Sequence, residues 1–159
     1  MSRNTIKSLA LSGAMMTVPL VGLTTTPAEA ARSVVQIGPI RYNAPGPDSR
    51  ANASLNGEHF SVKNMGHKPV NLNRWTVRDA HGNMYRFGNY LLPGKSLVEV
   101  RSGVGVNTSR VRYWNRSVHV WGNLVDRASL RSPSGHLVDT WSWNFGPLER
   151  DEGLVTCHD

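Results

Sequence analysis

Beyond residue 30, turn-forming residues interrupt the apolar pattern so often that no run of ten or more residues keeps a helical period. Gly, Pro, Asn and Asp cluster at 43–48, 56–57, 66–69, 79–83, 93–94, 102–105 and 133–135. Short β-rich stretches lie between them: Val34–Tyr42, Glu58–Asn64, Val70–Arg78, Met84–Phe87, Ser96–Arg101, Val111–Trp114, Val118–Trp121, Ala128–Arg131 and Leu137–Trp143. Phe60 and Val62 alternate with polar neighbours, as a half-buried strand requires. Gly38-Pro39 marks the first stretch as a bent edge strand, and residues 43–57 read as a loop. Val70 and Leu72 share one face while Trp75 and Val77 fall on the other parity, which predicts a bulge near Asn73-Arg74. Asp79–Asn83 and Pro133–Gly135 read as hairpin turns. Eight or nine short strands predict an all-β chain folded as an antiparallel two-sheet sandwich.

At 159 residues the chain suits a single domain, and 39% apolar against 18% charged residues argues against a disordered or coiled-coil chain. One cysteine excludes an internal disulfide framework and any multi-cysteine zinc or iron–sulfur site.

The N-terminus carries an export signal. Arg3 and Lys7 precede an apolar stretch from Leu9 to Leu23, and Ala28-Glu29-Ala30 offers a small-x-small cleavage site. Residues 1–30 are therefore expected to be a secretory signal peptide, cut between Ala30 and Ala31. An uncleaved anchor is the competing reading. It fits less well, because the apolar stretch is shorter than the roughly 20 residues a span needs and holds Gly13 and Pro19. The expected product is secreted, extracellular and not inserted in a membrane.

Charge is unevenly distributed over that product. Residues 31–143, the expected domain, hold 15 bases and 6 acids, whereas residues 144–159 hold Arg150 against Glu149, Asp151, Glu152 and Asp159. The acidic C-terminal tail reads as a frayed, solvated end, or as a segment that folds back on the basic body. Cys157 lies in it and is open to an intermolecular disulfide.

Two segments carry a resemblance. Asn56-Gly57-Glu58-His59-Phe60-Ser61-Val62-Lys63-Asn64, followed by Pro69-Val70-Asn71-Leu72-Asn73-Arg74-Trp75-Thr76-Val77-Arg78-Asp79, resembles the signature of the lamin-tail domain family. Tyr85–Phe87, Leu92-Pro93-Gly94, Tyr113-Trp114 and Leu130 to Trp141 follow in family order. The resemblance implies an immunoglobulin-like β-sandwich over about residues 34–143 and points to the exported bacterial members. No coiled-coil rod accompanies it, so a filament function is not implied.

Motifs for chemistry are missing from the sequence. It contains no HExxH, GxSxG, GxGxxG or phosphate-cradling Gly-Lys-Ser/Thr loop, and its six histidines lack the paired spacing of a zinc site. His59, His67, His81 and His119 read as surface histidines rather than ligands. Glu58 reads as a carboxylate accepting backbone or arginine hydrogen bonds, with cation binding as the alternative. A non-enzymatic chain with no cofactor and no metal is expected.

Binding is the remaining function class. Between residues 101 and 131 six arginines face a single acid, Asp126. Arg101, Arg110, Arg112, Tyr113, Trp114, Arg116 and Trp121 form a candidate basic-aromatic face for nucleic acid or another anionic polymer. In the competing reading Tyr113, Trp114 and Trp121 are framework. Trp141 and Trp143 share a strand face and suit either core packing or a carbohydrate platform. Three glycosylation sequons, at Asn52, Asn107 and Asn115, matter only in a eukaryotic secretory route. The expected function is a secreted interaction module, its partner an envelope polymer, an extracellular protein or nucleic acid.

Overall fold

The computed structural model describes residues 33–145 and the backbone of Leu154–Val155. Residues 1–32, with the Ala30–Ala31 cut, and Cys157 lie outside the described residues.

Among the described residues, eleven strands and one short helix follow in the order β1 (Val35–Arg41), α1 (Asn52–Gly57), β2 (His59–Asn64), β3 (Val70–Asn71), β4 (Thr76–Arg78), β5 (Met84–Arg86), β6 (Leu91–Leu92), β7 (Ser96–Arg101), β8 (Val111–Tyr113), β9 (Val125–Arg131), β10 (Leu137–Asn144) and β11 (Leu154–Val155). They form a five-stranded sheet ordered β11-β1-β2-β7-β8, a four-stranded sheet ordered β10-β9-β4-β5, and the small β3-β6 pair. This is the expected immunoglobulin-like sandwich, with more and shorter strands than the apolar pattern predicts.

Period-two alternation builds the core. Val35, Ile37, Ile40, Phe60, Val62, Val98 and Val100 come from the first sheet, and Val77, Ala128, Leu130 and Trp143 from the second. Leu72 and Leu92, both fully buried, belong to the same cluster. Phe60 meets Tyr85, Trp114 and Trp121 edge-on, each with ring centroids 5.8 Å apart. Trp121 continues the cluster to Trp143. Aromatic pairs at such spacing contribute about 0.5–1.5 kcal/mol each beyond area burial.

Several expectations are corrected. The strands are not all antiparallel: β7 and β8 run parallel, because the long 102–110 connection returns the chain to the sheet in the same direction. Residues 52–57 are a helical turn within the expected loop, with Leu55 buried beneath it. The parity change at 73–74 is a change of sheet rather than a bulge: Arg74 takes φ 68°, and β3 and β4 belong to different sheets. Residues 118–121 are a loop, not a strand. β1 shifts register between Ile37 and Ile40, as Gly38-Pro39 predicts. It is flanked on both sides, however, since Ile40 and Arg41 pair with Val155 and Leu154. Part of the tail therefore adds a strand instead of fraying. Both hairpin turns form as expected, with Gly82 at φ 92° and Gly135 at φ 85°.

Candidate functional site: a basic row at the end of the five-stranded sheet

Strand register assembles a basic feature at one end of the five-stranded sheet. β1 and β2 pair Arg41 with His59, and β2 and β7 pair His59 with Arg101. Directly opposed residues share a face of the sheet, so the three form one row across adjacent strands, on the face opposite Ile40, Phe60 and Val100. The row lines an open cleft of about 500 Å³ with Pro45, Ala53, Asn56 and Gly57. Gly57 lies here because a Cβ would stand 2.7 Å from the Ala44 Cβ. The requirement is close approach of the backbone to Ala44.

Glu99 organises the row. Its Oε1 accepts from Arg101 Nε at 2.6 Å, and its Oε2 lies 3.7 Å from His59 Nε2. The Glu99 hydrogen bond raises the Arg101 pKa, keeping that guanidinium charged. Burial lowers the His59 pKa; Glu99 opposes the shift while the Arg41 and Arg101 charges reinforce it. His59 is thus biased toward the neutral imidazole.

Behind the row, the loops are fastened by one carboxylate. Glu58 is fully buried. Its Oε1 accepts from Trp121 N at 2.6 Å, and its Oε2 accepts from Val120 N at 3.0 Å. Burial raises the Glu58 pKa, with Ser102, the two amides and His119 pulling it back. Backbone hydrogen bonding is therefore its role, as the sequence reading favours.

The candidate face at 101–131 is divided. Trp121 is 3% exposed, and Trp114 packs against Phe60 and Tyr85. Arg112 lies over the Tyr90 ring at 4.5 Å from its centroid. Tyr113, on the opposite side of β8, covers Gly105, where a Cβ would stand 2.2 Å from the ring. Arg116 donates from Nη2 to Asn83 Oδ1 at 2.7 Å. Arg110 is exposed at the turn before β8. Arg101 alone of these residues joins the row; no sequence signal groups Arg41 and His59 with it, because only strand register makes them neighbours of a residue 42 or more positions away. Trp143 is in the core and Trp141 packs against it.

Three polar residues of the two signature segments act as fasteners. Glu58 holds the 118–121 loop. Asn64 donates from Nδ2 to the carbonyls of Lys68, Leu92 and Pro93, and its Oδ1 accepts from Gly66 N. Asp79 Oδ1 accepts from His81 N and Asn83 N, closing the β4–β5 hairpin.

No curated protein matches the chain. The sequence model described as Lamin Tail Domain matches residues 28–145, which contain every one of those fasteners. With an immunoglobulin-like sandwich fastened at the positions that carry its signature, this chain belongs to the lamin tail domain family.

Proposed function

We propose that this protein is an exported, non-catalytic interaction module whose sheet end receives an anionic group between Arg41, His59 and Arg101. The convergence of those three side chains on one open cleft is the observation that carries the reading. Its non-catalytic part is supported by the buried Glu58 carboxylate, both oxygens of which hold backbone N–H groups. Export rests on the signal-peptide pattern of residues 1–30.

The anionic reading differs from a general protein-binding module in its salt response. Neutralising phosphates makes affinity fall steeply with ionic strength. The test is binding of the exported form to duplex DNA, to a teichoic-type polymer and to a neutral glycan, each across a salt series. Polyanion affinity should decline with salt, and Arg41→Ala with Arg101→Ala should weaken it about tenfold, or about 1.4 kcal/mol. Salt-insensitive binding, or no polyanion binding, removes the anionic reading. For export, the protein recovered from the medium of a secreting bacterial host should begin at Ala31. Retention of residues 1–30 in the membrane fraction overturns that part.

A further inference from the structure

We infer that Asp79, His81 and Asp126 form a divalent-cation site with the ligand preference of zinc. The cluster lies outside the basic row and its proposed ligand.

Strand register assembles it. β4 and β9 pair Arg78 with Ser129 and Thr76 with Arg131, so the turn that follows β4 stands beside the start of β9, where Ala80 N donates to Asp126 Oδ1 at 2.9 Å. Asp79 keeps the inward parity of Val77, and Asp126 that of Ala128 and Leu130, which places both carboxylates on the core side. Both side chains are fully buried, whereas the His81 side chain is 64% exposed. His81 Nδ1 lies 3.8 Å from Asp79 Oδ2 and 3.8 Å from Asp126 Oδ2. All three ligand atoms fall within 4.8 Å of one another. An ion centred among them lies at most roughly 2.5 Å from each, a limit inside the calcium range and a few tenths of an ångström beyond zinc bonds, which an exposed His81 side chain can close by moving inward.

Acceptor capacity remains at both converging oxygens. Asp126 Oδ1 accepts from Ala80 N and Arg127 N, and its Oδ2 accepts once, from Gly122 N at 2.8 Å. Asp79 Oδ2 accepts once, from the Asn83 side-chain amide. Each carboxylate oxygen has two lone pairs, so each retains one. Two buried carboxylates facing one another demand positive charge. Arg116 does not supply it directly, since its guanidinium stops at Asn83 Oδ1. Among the described residues, His81 is the ion-pair partner of both acids. One imidazole nitrogen set with two carboxylate oxygens selects a borderline cation such as zinc over the all-oxygen shell that calcium prefers.

The cluster also borders a cleft. His81 and Asp126 line an open concavity of about 630 Å³ with Ser142 and Asn144. Three protein ligands leave further coordination positions to water or to an anionic group in that cleft.

Calorimetric titration of the exported form with zinc chloride tests the site. Wild-type protein should bind one equivalent that His81→Ala loses or weakens at least tenfold. His81 is an exposed turn residue, so the variant keeps its fold, which thermal melting verifies. Cys157 and His158 offer zinc ligands of their own, so the deciding quantity is the loss of one equivalent relative to wild type. NMR signals of the His81 ring should shift on zinc addition. Failure of wild-type protein to bind zinc overturns the inference, as does equal binding by His81→Ala. Calcium binding as tight as zinc and indifferent to His81 overturns the ligand assignment.

Discussion

Glu58 Oε1 accepts a hydrogen bond from the backbone N–H of Trp121 at 2.6 Å, joining positions 63 residues apart inside the core. Glu58→Gln keeps the shape and removes acceptor capacity, setting an NH2 group or a single carbonyl against two N–H donors. A buried donor left without a partner costs about 1–3 kcal/mol. Urea unfolding should show a loss of that size, with exchange protection falling at the Val120 and Trp121 amides.

His59 and Glu58 give pH dependences of opposite sign. The folded pKa of His59 lies below its ordinary 6.5, so its contribution is present above 6.5 and is lost as pH falls through the folded value. The folded pKa of Glu58 lies above its ordinary 4.5, so its contribution is present below 4.5 and is lost as pH rises through the folded value. Melting temperatures between pH 4 and 8 should fall on the acid side of 6.5, and His59→Gln should flatten that decline.

Gly94 permits two turns to touch. A Cβ there would stand 2.1 Å from the His67 carbonyl oxygen and 2.4 Å from its carbon, so backbone has to move. The displacement also disturbs the bond from Lys95 N to Gly66 O. Gly94→Ala should destabilise by about 1–3 kcal/mol, read from the denaturation midpoint at unchanged slope.

Trp121 and Arg110 separate framework from surface within one stretch of sequence. Removing the buried indole with Trp121→Ala should cost about 3–5 kcal/mol. Arg110→Ala, at an exposed turn, should change stability by less than about 0.5 kcal/mol. Thermal unfolding of both variants checks the pair.

The fold class was legible because period-two alternation and turn chemistry are local. Phe60, Val62, Val98, Val100 and Leu130 face inward as their parity dictates, and Gly82 and Gly135 turn the chain where they stand. Short features were less legible. Val118–Trp121 has strand composition but lies as a loop, because Glu58 claims the Val120 and Trp121 amides that a ladder would use. Residues 52–57 show no helical period, since a single turn is shorter than the pattern that would reveal it.

The amino-acid order alone determined a β-sandwich of lamin-tail type, with Glu58 bound to hydrogen-bonding partners and the turns at 79–83 and 133–135. Tertiary structure decided which charges meet. Arg41, His59 and Arg101 stand in a row through the registers of three strands, and Asp79, His81 and Asp126 converge through that of two. Periodicity along one strand reports which face a side chain takes. Its neighbour across the sheet depends on pairing and register, which are set by loop lengths and core packing far from the residues concerned.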